Sequence, residues 1–175
     1  MAFDDHTQSE IVFRGRVFNV RVDLINLPGR KPMRLDVVEH NGAVTVLPID
    51  ESGLVWFIRQ YRHPAGKELL ELPAGVMEEF EAPEVSAQRE LREEIGMAAG
   101  RLSRLGDFYL APGYSTEHMF AFLATDLRPA PLSPDEGEEI TIEKIPVSDM
   151  LSLVSNGRIQ DSKSLAVLFL WYSQK

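Results

Sequence analysis

Residues 72–97 read LPAGVMEEFEAPEVSAQRELREEIGM, and this stretch constrains the chain more than any other. Pro83 suits a first helical turn and Gly96 offers a stop, so the pattern predicts a helix from near Pro83 through Ile95. At about 100° per residue, Glu94 lies about 40° to one side of Glu90, and Glu93 about 60° to the other. Leu91 and Ile95 fall together on a different side, spaced to enter a core. One side of this helix anchors it and another gathers carboxylates. Like charges three and four residues apart repel one another. Two readings are open: a solvated acidic face, or a place where something positive binds. Hard divalent cations such as Mg²⁺ favour a few carboxylates, retained waters and the oxygens of a phosphorylated substrate. They also polarise phosphoryl oxygens and activate water.

The rest of the chain sets the context for that helix. Its 175 residues suit one compact domain with a small appendage, and 44% hydrophobic with 26% charged residues is ordinary for a globular protein. There is no cysteine, which excludes disulfides, thiolate catalysis and cysteine-held metals. A formal net charge of −9 argues against gripping a nucleic acid polymer. It permits a small phosphorylated substrate when cations intervene. The start, MAFDDHTQSE, has neither the basic opening nor the apolar core of a signal peptide. No apolar run approaches a membrane span. The expectation is a cytoplasmic protein without a membrane partner.

Five stretches before the acidic helix read as strands: EIVFRG, VFNVRVDLINL, MRLDVVEH, AVTVLPI and LVWFIRQY. They are rich in β-branched and aromatic residues and are punctuated by turn signals such as PGRKP and DESG. RLGDFYL, HMFAFLAT and ITIEKIPV add three more after it, and SDMLSLVSNG reads as a serine-capped helix. DSKSLAVLFLWYSQ reads as a closing helix capped by Asp161. Strands on both sides of a central helix predict an α/β (α+β) fold, a mixed sheet sandwiched between helices. Residues 1–41 are expected to form a small N-terminal β-unit and residues 42–175 the main domain.

Within residues 72–97 the spacing is specific: Gly75, five residues, Glu81, seven residues, then Arg89-Glu90-Leu91-Arg92-Glu93-Glu94-Ile95-Gly96-Met97. It resembles without exception the box of the Nudix hydrolase family, GX5EX7REUXEEXGU with U apolar. The resemblance implies the Nudix fold, with the box forming a loop–helix–loop that holds Mg²⁺ or Mn²⁺. It also implies hydrolysis of a nucleoside diphosphate linked to another moiety. Glu90, Glu93 and Glu94 match the family's metal-binding glutamates, and Arg89 and Glu81 match positions that brace loop and helix. One departure stands out: Phe80 precedes the first box glutamate, where a glycine is common.

The flanks RQYRHP (59–64), ELPAG (71–75) and APGYSTE (111–117) resemble the branch that cleaves ADP-ribose and nucleoside diphosphate sugars, as does Pro112, fifteen residues past the box. Carried over residue by residue, the Ala74 carbonyl joins Glu90 and Glu94 as a metal ligand. Arg62 binds the diphosphate or terminal ribose, and planar guanidinium suits bidentate phosphate contact. Arg59 either assists or is a surface charge on a strand end. Val76 lies at the substrate, and Glu117 contacts the ribose. The general base belongs to a loop outside the box, for which PDEGEEI is the counterpart. Glu136 is the expected base and Glu138 an accessory metal or water contact, with Glu138, Glu139 and Glu93 as rivals for the base. The resemblance further implies a homodimer that exchanges N-terminal β-units, bringing Arg34 and Arg16 or Val17 to the nucleoside.

Rival readings keep the chemistry and change the substrate to a GDP-sugar, a dinucleotide such as NADH, or an oxidised nucleoside triphosphate. A further rival is a non-catalytic module that senses nucleotides. RQYR and the downstream proline favour the nucleotide sugar, and the intact box counts against the sensor.

Overall fold

Strand β4 (Ala43–Pro48, AVTVLP) is buried along its whole length, because it lies between two neighbours and under two helices. It pairs antiparallel with β7 (Ala74–Val76) and parallel with β9 (His118–Pro129), and β8 (Met97–Tyr109) completes the sheet in the order β7-β4-β9-β8. A strand sealed on both faces has no wet side, so its residues are continuously apolar apart from Thr45. The computed structural model describes residues 7–133 and 139–175. A second sheet sets β10 (Ile140–Pro146) and β6 (Lys67–Glu71) on either side of β5 (Leu54–Arg62), both antiparallel to it.

Two helices close the layers. Val44 and Val46 pack with Ala87, Leu91 and Ile95 of the α1 region (α1, Pro83–Glu94). Leu47 and Leu72 pack with Val167, Leu168 and Trp171 of α3 (Ser162–Ser173). Successive side chains on β4 thus feed opposite cores, as the period of two dictates. Truncating one of these buried leucines to alanine removes about 2–5 kcal/mol of stability. The mixed sheet between helices agrees with the fold class expected from the sequence.

The chain divides into two compact units. One holds the residues up to Gly42 together with Tyr109–His118; the other holds Ala43–Phe108 and Met119–Lys175. In the first, β1 (Thr7–Arg14), β2 (Asn19–Ile25) and β3 (Met33–Glu39) form an antiparallel meander. The loop at 111–116 joins it: Val38 N–H donates to Tyr114 O at 2.7 Å and Thr116 N–H to Val38 O at 2.9 Å.

Some expectations need correction. The helix ends at Glu94, with Ile95 as its C-cap. Gly96 comes next at φ 70°, the left-handed conformation glycine supplies after a helix. Asp161 caps α3 as expected, accepting from Ser164 N–H at 2.9 Å. Ser148 caps nothing: a 3-10 turn (Val147–Asp149) leads into α2 (Met150–Ser155), and the Ser148 hydroxyl donates to Asp149 instead. Strands β6 and β7 carry no sequence signal, because KELLE and AGV have too few β-branched residues to register.

Candidate active site

The site grows from the entry to α1. Residues 78–81 form a four-residue turn in which Glu81 N–H donates to Glu78 O at 3.1 Å. The Glu81 carboxylate returns the contact, accepting from Glu78 N–H at 3.0 Å. Phe80 occupies the third position at φ 66°, where such turns favour glycine. The residue that departs from the usual box therefore takes a backbone conformation that glycine adopts without strain. From this turn the chain enters α1 at Pro83, with Glu84 in the first turn, where a carboxylate suits the helix dipole.

Arg89 organises the carboxylates around it. Its Nε and Nη2 each meet a carboxylate oxygen of Glu81 at 3.1 Å, a two-point fork. Its Nη1 donates to Glu90 at 2.6 Å and to Glu93 at 2.9 Å, and Nη2 also reaches the Val76 carbonyl at 3.1 Å. The hydrogen bond from Arg89 outweighs burial and holds the Glu81 carboxyl below the usual carboxylate range. Glu81 raises the Arg89 guanidinium in return, with Glu90 and Glu93 adding to it against partial burial. One arginine thus ties turn, helix and β7 together.

Glu90 and Glu94 are buried. Ala74 N–H donates to Glu94 Oε2 at 2.9 Å. A Cβ placed on Gly75 would stand 1.9 Å from Glu90 Oε1, so any side chain here would force the carboxylate or the β7 backbone to shift. Among the described residues, no three His, Asp or Glu side chains form a ready-made metal cluster; Glu90 and Glu93 are instead drawn to Arg89 and Glu94 to an amide. The donor set is nonetheless all oxygen and mostly carboxylate, which suits a hard divalent cation.

The structure brings Ala74, Val76, Glu81, Arg89, Glu90, Glu93 and Glu94 into one neighbourhood. The predicted substrate residues are spread more widely. Arg59 donates to Glu143 at 2.8 Å. Arg62 grips Glu71 with two bonds, Nε at 3.0 Å and Nη2 at 2.8 Å. Arg16, Val17, Arg34 and Glu117 belong to the other compact unit. There Arg34 is exposed with Nε 3.4 Å from Asp36, and Glu117 N–H donates to Ser115 Oγ at 3.2 Å. Glu136 and Glu138 lie outside the described residues; Glu139 is exposed.

Sequence reasoning passes over a charged cluster centred on Glu71. Its carboxylate is 1% exposed and accepts from Lys163 Nζ as well as from Arg62. Burial works to raise this carboxyl; the hydrogen bond from Arg62 and the charge of Lys163 overcome it and hold it low. A signal is present. Glu71 stands inside the apolar run LLEL, and a carboxylate in such a run must find cations if it is buried.

Fold and box define a class of protein: a mixed-sheet scaffold presenting buried carboxylates on a braced helix, of the kind that works on phosphorylated small molecules with a metal. The Nudix domain model matches residues 39–168, and the chain belongs to the Nudix family. Two relatives carry the name ADP-ribose pyrophosphatase. The one from Bacillus subtilis (strain 168) is 34% identical over 157 residues, covering 89% of this chain and 85% of its own. The one from Mycobacterium tuberculosis (strain ATCC 25618 / H37Rv) is 37% identical over 161 residues, covering 90% and 78%. A crystal structure of an ADP compounds hydrolase superposes with a TM-score of 0.85 at 26% identity, over 95% of this chain and 91% of that one. Within the family the chain falls in the ADP-ribose pyrophosphatase branch, and it is a hydrolase. Nudix pyrophosphatases generally use divalent metal ions. No helix of the described residues is long and apolar enough to cross a membrane.

Proposed function

We propose that this chain hydrolyses the diphosphate of ADP-ribose or a related nucleoside diphosphate sugar, giving a nucleoside monophosphate and a sugar phosphate. The observation that carries the reading is the braced box, with Arg89 drawing Glu81, Glu90 and Glu93 together while Gly75 admits the Glu90 carboxylate. Mg²⁺ or Mn²⁺, held by Glu90, Glu94 and the Ala74 carbonyl with Glu93 and Glu138 alongside, would neutralise the diphosphate and polarise its phosphoryl oxygens. In our reading a water oxygen attacks phosphorus, the anhydride P–O bond breaks, and Glu136 takes the water's proton. Arg62, aided by Arg59, binds the diphosphate; Val76 and Glu117 contact the sugar side. We assign the protein to the cytoplasm as a homodimer exchanging N-terminal β-units, with Arg34 and Arg16 or Val17 at the nucleoside. The exposure of Val12, Phe13, Val17 and Leu35 on the N-terminal unit supports this dimer.

The test is a panel of ADP-ribose, GDP-sugars, dinucleotides and nucleoside triphosphates incubated with pure protein and Mg²⁺ or Mn²⁺. AMP and ribose phosphate should accumulate from ADP-ribose, faster than products from triphosphates. Binding of ADP-ribose without turnover of any member would instead establish a sensing module. Sedimentation of the same sample reads the dimer, and a monomer at working concentration would defeat it.

A further inference from the structure

The cluster around Glu71 is more elaborate than a core carboxylate requires. Glu71 ends β6 and is 1% exposed. Each of its oxygens accepts from Arg62 in a two-point fork, and Oε2 accepts from Lys163 as well. The cluster opens to solvent on one side: Lys163 is 13% exposed and Glu71 1%, whereas Arg62 keeps 37%. The buried pair meets solvent through the arginine.

Lys163 is in an unusual place for a lysine. It lies in the first turn of α3, one residue past the helix start, where the dipole disfavours a cation. The surroundings hold it there. Asp161, the N-cap of α3, accepts from Lys163 Nζ at 3.0 Å and from Ser164 N–H at 2.9 Å. Ser164 Oγ, fully buried, accepts from the N–H of Leu72, the residue after Glu71, at 2.8 Å. The start of α3 is thus bolted to the strand end that carries Glu71. Two cations thus face two carboxylates, Glu71 and Asp161, and the second cation is built in against the helix dipole.

We propose that Lys163 acts through Glu71 as a positioning residue, setting the orientation and charge with which Arg62 meets the substrate's diphosphate. This rests on the reading of Arg62 as a diphosphate contact. With Lys163 present, the negative charge of Glu71 is shared and the guanidinium of Arg62 retains attraction for a phosphate. Without it, Arg62 alone must compensate a buried carboxylate, and its hold on an incoming anion weakens. The group affects binding of substrate and transition state alike, so KM moves and kcat stays.

The experiment measures kcat and KM for ADP-ribose with Mg²⁺ on the full chain, with melting curves for every variant. K163M should raise KM about tenfold with kcat within about twofold, and K163R should restore KM. R62Q should raise KM at least as much, and R62Q/K163M should be no worse than R62Q, because neighbours that act as a unit are non-additive. An unchanged KM in K163M overturns the proposal, as does a Lys163 effect that adds in full to R62Q. Unchanged kinetics in R62Q, or no turnover of ADP-ribose by the native chain, defeats the underlying reading instead. Should R62Q/K163M fail to fold, E71Q/K163M replaces it: KM equal to that of E71Q supports the coupling, and a further rise refutes it.

Discussion

Two charged clusters of the main domain are built on opposite balances. Around Arg89 three carboxylates, those of Glu81, Glu90 and Glu93, share one guanidinium, and the buried Glu94 carboxylate adds a fourth negative group nearby. Around Glu71 the count closes: Arg62 and Lys163 face Glu71 and Asp161. A closed cluster is finished as it stands, whereas one with surplus buried negative charge retains affinity for a cation. Similar side chains therefore do different work. On the proposed function the first cluster would take a divalent ion, and the second holds strand, helix and arginine in register.

Breaking the open cluster should produce the largest effect. Glu94→Gln removes one buried oxygen charge while keeping shape and the capacity to accept from Ala74 N–H. Metal-dependent turnover should fall by more than about a hundredfold, beyond the range seen on removing mere supporting groups, with the melting temperature little changed. Activity near normal at saturating Mg²⁺ would show that Glu94 is not a ligand. Gly75→Ala comes next. Its Cβ would stand 1.9 Å from Glu90 Oε1, so either β7 or the carboxylate must move. Overpacking of this kind costs about 1–3 kcal/mol, and activity should fall with it. A variant that melts and turns over like the parent would show that the approach of β7 to Glu90 is unimportant.

Acid should weaken both clusters through their carboxyls. Glu71 and Glu81 both have carboxyls held below their ordinary value, by Arg62 and Lys163 against burial in one case and by Arg89 in the other. A lowered carboxyl contributes stability that is present above the unfolded pKa of about 4.3 and lost as pH falls through the folded value. The melting temperature should therefore hold at neutral pH and decline below about pH 5. Glu71→Gln should lower stability at pH 7, since it leaves Arg62 without its buried carboxylate and Lys163 with Asp161 alone, and should make the acid decline shallower. An unchanged acid limb in that variant would mean Glu71 contributes nothing to it.

The two clusters also differ in how far the sequence alone reveals them. Arg89, Glu90, Glu93 and Glu94 lie within six residues, and helical geometry alone places them together; the spacing of the box ties in Gly75 and Glu81. The partners of Glu71 are not local. Lys163 is 92 residues away, and it sits in a stretch that reads only as a helix cap, because no periodicity reports where a helix start will dock. Strands β6 and β7 are illegible for a related reason: β7 is three residues long and exists through its pairing with β4. The mixed sheet itself is legible, since AVTVLP and LVWFI carry the continuous apolar character of strands covered on both faces. That Glu117 joins the unit of the first forty residues is written in neither pattern nor composition.

The smallest effect tests a departure from the family's usual box. Phe80 is 97% exposed and holds φ 66°, so its ring gains almost nothing from burial while its backbone occupies a region costly to a bulky residue. Asp126 shares the left-handed conformation at φ 56°, but short polar side chains tolerate it. Relief of about 1–2 kcal/mol on Phe80→Gly is offset by the extra freedom glycine has in the unfolded chain, about 0.4–1 kcal/mol. The net expectation is a gain of about 0.5–1 kcal/mol, read as a small upward shift in melting temperature. The turn is retained by Glu81, which accepts from Glu78 N–H and is gripped by Arg89, so basal turnover in Mg²⁺ should stay within about twofold. A stabilised variant with a raised KM would separate the two roles of the position, because strain at an exposed aromatic persists only where its side chain is put to use. Destabilisation would show instead that the phenyl ring supports the turn through contacts the glycine form lacks.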